Sequence, residues 1–89
     1  MNLIFSISFL FLSVQPSYAE ASDTQKAATA YWKAACDVKY GHIGKYEAGD
    51  KTIEYMIELG VNPVDAYNDP GATKMAEWLD KKAGTNCFR

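Results

Sequence analysis

The chain has 89 residues, with 9 Lys and Arg against 11 Asp and Glu, for a net charge of −2. Its basic residues stand singly apart from Lys81-Lys82, so it lacks the positive footprint that displaces counterions from phosphate. This balance argues against a nucleic-acid partner and against electrostatic docking to anionic lipid.

The first residues read as an export signal. Leu3 to Val14 hold three Ser among aliphatic and Phe residues, Pro16 breaks the run, and Ser17-Tyr18-Ala19 follows with small residues at −3 and −1. Cleavage is expected between Ala19 and Glu20, with a cut after Ala21 as the alternative. As a helix, this 12-residue run would reach only about 18 Å, too short for a hydrocarbon core of roughly 30 Å. Stable membrane anchoring after cleavage is therefore not expected, and the localisation expected is periplasmic or secreted. No Lys or Arg precedes the apolar run, which is unusual for such a signal.

Residues 20–89 then form one small domain. Below roughly 70–80 residues a single core supplies little stability, and staples are common. Cys36 and Cys87 are the only cysteines, and in an oxidising compartment they have one intramolecular pairing, enclosing 50 residues. The chain-entropy model gives such a bond about 4 kcal/mol. No Cys-x-x-Cys is present to support a reactive thiol pair.

A first helix starts at Ser22, with Gln25 at capping-box spacing. Ala27, Tyr31, Ala34 and Val38 share one face, Trp32 and Cys36 a neighbouring stripe, and Gly41 is the stop. In the middle segment, Tyr46, Gly49, Ile53, Met56, Ile57 and Gly60 keep helical phase, and so do Glu47, Asp50, Glu54 and Glu58 on the other side. Together they predict a central helix from about Lys45 to Leu59, with Gly49 against a neighbouring helix. A helix starting at Asp50 is the alternative. Asn62-Pro63 and Asp69-Pro70 each give an N-cap followed by Pro at the first helical position. They predict a short helix over 63–68 and a last one from about Pro70 to Ala83. The last helix buries Ala72, Met75, Ala76, Leu79 and Ala83, carries Lys81 and Lys82 at its negative end, and is closed by Gly84. The fold class predicted is all-α: a small bundle of three main helices plus one short helix, closed by a single disulfide.

No catalytic set is legible. His42 is the one histidine, no Ser follows it, and Ser22 is assigned to a cap. With both Cys committed to a disulfide, too few ligands remain for zinc, and no EF-hand spacing is present. No catalytic residue, metal or cofactor is expected. The acidic stripe Glu47, Asp50, Glu54 and Glu58 reads first as a solvated helix face, and Trp32 and Trp78 at the edges of their stripes as boundary residues; these six are also the surfaces singled out for a protein partner. The function expected is a small exported non-enzymatic interaction module, chaperone-, inhibitor- or immunity-like. A small apolar-ligand carrier is the alternative, since it would need a cavity among the helices, and a small enzyme comes third.

Overall fold

Ser22 opens the first helix by the reciprocal cap its sequence announces. Its hydroxyl accepts the Gln25 N–H at 3.1 Å, and Gln25 Oε1 accepts the Ser22 N–H at 2.8 Å. The computed structural model describes residues 21–88, and the expected export signal lies outside them. The described residues form α1 (Asp23–Lys39), α2 (Ala48–Glu58), α3 (Pro63–Tyr67) and α4 (Pro70–Ala83), with a 3-10 turn at Lys45–Glu47 leading into α2. No strand occurs among them, and Cys36 is bonded to Cys87.

The three long helices end alike. Gly41, Gly60 and Gly84 take φ of +75°, +82° and +70°. The residue after each glycine donates its N–H to a carbonyl five residues back: His42 to Asp37, Val61 to Met56 and Thr85 to Asp80. Left-handed backbone of this kind disfavours any residue with a Cβ, so Gly41 and Gly84 terminate their helices as the sequence predicts, and Gly60 ends α2 in the same way. Asn62 and Asp69 cap α3 and α4, each ahead of its proline, also as predicted.

The packing centre is α1, not α2. Both α2 and α4 pack on α1 and barely touch one another. Ala27, Ala28, Ala30 and Ala34 are the buried residues of α1, small enough to let neighbouring helices come close. Ala27 and Ala30 meet Met56, Val61, Ala66 and Ala72, with Tyr31, Tyr55 and Leu59 packed against the cluster. Met56 is the one large side chain fully buried among the described residues.

The buried face of α2 departs from the sequence expectation. Tyr46 is 99% exposed, Ile57 is 63% exposed and Gly49 is exposed, while Ala48, Thr52, Tyr55, Met56 and Leu59 face inward. The helix is turned by roughly 100°, one residue's worth of rotation. Two polar contacts explain the turn. The buried Thr52 hydroxyl donates to the Ala48 carbonyl at 2.7 Å, so its burial leaves nothing unsatisfied. Tyr55 swings inward because its phenol finds Asp37 of α1. On α4 the correction is smaller: Ala83 is exposed, and Asp80 takes the buried place.

Gly49 therefore meets no helix at close range. A Cβ built there would touch only the Tyr67 phenol oxygen, at an ordinary 3.8 Å. Overpacking is not expected, and the entropic cost of glycine in a helix is what remains. Gly49→Ala should raise stability by about 0.5–1 kcal/mol. A urea unfolding midpoint shifted upward with an unchanged slope is the expected result.

Candidate functional site

Two polar clusters tie the helices together, and neither was singled out from the sequence. In the first, Asp37 of α1 accepts a hydrogen bond from the Tyr55 hydroxyl of α2, and His42 Nδ1 lies 3.3 Å from its other oxygen. The Lys33 and Lys51 ammonium groups stand 4.5 and 5.3 Å from the centre of the Tyr55 ring. Hydrogen bonding to Asp37, followed by burial, pushes the Tyr55 phenol up to about 12. The Tyr55 hydroxyl, ahead of His42, holds the Asp37 carboxyl below its ordinary range. A phenol so reluctant to ionise makes a poor base or nucleophile. The cluster works as a clasp between α1 and α2.

The second cluster lies where the C-terminal tail folds back. Asp80 is only 4% exposed, and its Oδ1 accepts the Cys87 N–H at 2.8 Å and the Thr85 hydroxyl at 2.5 Å. Its Oδ2 accepts the Phe88 N–H at 3.4 Å. Thr85 Oγ1 in turn accepts the Trp32 indole N–H at 3.1 Å. Burial alone would raise the Asp80 carboxyl; the bonds from Thr85, Cys87, Phe88 and Trp32 overcome it and hold the group below its ordinary value.

The sequence-predicted surfaces fall in different places. Glu47, in the 3-10 turn, and Asp50, Glu54 and Glu58 of α2 are all exposed. Glu47 accepts the Gly44 N–H at 3.2 Å, and Glu54 pairs with Lys51 at 3.4 Å. The exposed Ile57 borders this stripe, three residues past Glu54 and seven past Asp50. Trp32 is half-buried and bound into the tail cluster. Trp78 of α4 is 56% exposed, with the Lys82 ammonium 5.7 Å from its ring centre. The acidic stripe and Trp78 thus belong to helices that scarcely meet, and no single patch unites the six residues.

Two clefts among the described residues are open and lined by charged side chains. One, of about 120 Å³, is lined by Asp23, Asp65 and Asp69 with Val61, Asn62 and Ala66. Another, of about 240 Å³, is lined by Glu77, Asp80, Lys81 and Phe88. Both fall short of the roughly 300–1,000 Å³ of apolar space typical for small ligands. Among the described residues, Cys36, Cys87 and Asp80 alone bring three metal-ligating groups together, and the two sulfurs are bonded to each other. Beside His42, the Asp37 carboxylate could orient an imidazole, but catalysis would need a nucleophile there too. The described Ser and Thr hydroxyls are engaged elsewhere: Ser22 in its cap, Thr24 on Asp69, Thr29 and Thr52 on helix carbonyls, Thr73 on Pro70 and Thr85 on Asp80.

One signal for Asp80 was present in the chain. It continues the Ala72–Ala76 spacing by another four residues, and it places a carboxylate in the last turn of a helix, where the macrodipole disfavours it. Tail N–H groups supply the compensation.

The clasp at Tyr55 sets a pH dependence with a definite sign. Its folded pKa of about 12 exceeds the unfolded value of roughly 10, so its contribution is complete below pH 10 and is lost as pH rises towards 12. The Asp37 carboxyl is shifted downward, so its contribution is complete above the unfolded value and is lost in acid. Urea midpoints at pH 8 and pH 11 should fall more for the wild type than for Tyr55→Phe. Equal falls would show that the phenol is not held by Asp37.

Comparison with known protein families, curated proteins and solved structures returns no match for this chain.

Proposed function

We propose that the chain is a small exported, non-enzymatic protein-interaction module that presents the outer face of α2 to a basic partner surface. One observation carries this reading: several large apolar side chains lie outside, while the fully buried ones are mostly small. Alanines and one methionine make up most of the core, whereas Tyr40, Tyr46, Ile57, Val64 and Trp78 are each more than half exposed. Large rings and branched side chains left in water cost free energy that association recovers. On α2 the exposed Ile57 borders the carboxylates of Asp50 and Glu54, an apolar side chain at the edge of a charged stripe.

Export is supported by the tripartite order of residues 1–19 and by the disulfide, which persists in oxidising compartments.

The test is charge reversal on the stripe. Glu54→Lys with Glu58→Lys leaves the inward residues Thr52, Tyr55 and Met56 in place. In affinity capture from the envelope fraction, the wild type should retain a partner at low salt and release it as salt rises, and the variant should retain none. Equal capture by both proteins would exclude the α2 face as the contact.

A further inference from the structure

We infer that Asp80 is a positioning residue for the Cys36–Cys87 bond, its carboxylate docking the C-terminal tail before the sulfurs are joined. The tail leaves α4 at Gly84 through left-handed backbone, and Asn86 takes φ +52°, a conformation that non-glycine residues visit rarely. Left to itself, a segment beyond a helix would sample many arrangements, few of which bring Cys87 to Cys36. Here the tail is fixed at three points by one buried carboxylate: the Thr85 hydroxyl and the backbone N–H groups of Cys87 and Phe88. Trp32 fastens Thr85 from the α1 side, one helical turn from Cys36 on the same stripe. None of these four bonds uses a sulfur atom. All of them can exist in the dithiol form, where they hold the Cys87 side chain beside Cys36.

The chemistry is thiol–disulfide exchange with a small-molecule disulfide such as oxidised glutathione as the oxidant. The Cys36 thiolate, the more exposed of the two, attacks one glutathione sulfur and releases the other as a thiolate. Cys87, deprotonated, then attacks the Cys36 sulfur and expels the second glutathione. Two protein thiols lose two electrons and two protons, and one glutathione disulfide becomes two glutathiones. Asp80 acts on the second step alone, because it is the intramolecular one and depends on where Cys87 is held.

The experiment separates the two steps. The purified protein is reduced under native conditions and freed of reductant, and hydrogen exchange of the Cys87 and Phe88 amides is measured in the dithiol form. Both amides should be protected. Oxidised glutathione is then added, and mixed-disulfide formation and ring closure are followed by quenched mass spectrometry. Asp80→Ala, with helix content verified by far-UV circular dichroism, should leave the first step unchanged and slow closure by about tenfold or more, the scale of losing hydrogen bonds to a charged group. Thr85→Val removes one donor without altering any helix, and should slow closure by a smaller factor. Rapidly exchanging tail amides in the reduced wild type would overturn the inference, and so would closure at the wild-type rate in Thr85→Val together with any folded Asp80→Ala.

Discussion

Alanines on α1 let its neighbours approach closely, and the rest of the structure depends on how little apolar area that approach buries. A buried methyl contributes a fraction of what a buried Leu or Phe does. With Met56 as the one large side chain fully enclosed, hydrophobic burial alone gives this domain a thin margin against chain entropy. Cohesion has to come from elsewhere. The Cys36–Cys87 bond is one source, since it closes most of the described chain into a loop.

Carboxylates are the other source, and they recur with a common geometry. Asp37 takes the Tyr55 phenol across the α1–α2 contact. Asp69 takes the Thr24 hydroxyl at 2.6 Å while capping α4 through the Gly71 N–H at 2.9 Å, which joins the start of α4 to α1. Asp80 takes the tail. Each is a charge-assisted bond, across 18 residues for Asp37 and 45 for Asp69 but onto the adjoining tail for Asp80, and each carboxylate is held below its usual pKa by the hydrogen bonds it accepts. In a domain with a small core, such bonds also specify which faces meet, because a helix rotated out of phase would strand its carboxylate without its donors.

That role explains where sequence reading succeeded. Helix ends are decided locally: Ser22 with Gln25, Asn62 with Pro63, Asp69 with Pro70, and the three terminal glycines all act within a few residues of themselves. The disulfide was legible because two cysteines allow one internal pair. The buried face of α2 is not a local matter. A pattern built on apolar residues put Tyr46, Gly49, Ile53 and Ile57 inward, and had no means of weighing a threonine that satisfies itself on Ala48 or a tyrosine that finds Asp37 eighteen residues earlier. Asp80 escaped for the same reason, since a carboxylate on an apolar spacing makes sense only once the tail is folded over it. The acidic stripe was correctly placed on an exposed helix face, but its separation from Trp78 follows from α1 standing between α2 and α4 as their shared support.

The division of labour inside the molecule bears on what its surface is for. Because polar clasps and a covalent bond hold the helices, the large apolar residues are not all needed in the core. Ile57 and Val64 could both have been charged at no cost to packing, since neither is enclosed. Ile57 stands at the edge of carboxylates that repel one another down α2, which costs helix stability. A basic partner would relieve that repulsion by pairing the carboxylates, and would cover the isoleucine. The same face needs no rearrangement to engage, because the inward side of α2 is locked through Tyr55 and Thr52, and a rigid surface binds without the entropy cost of ordering itself.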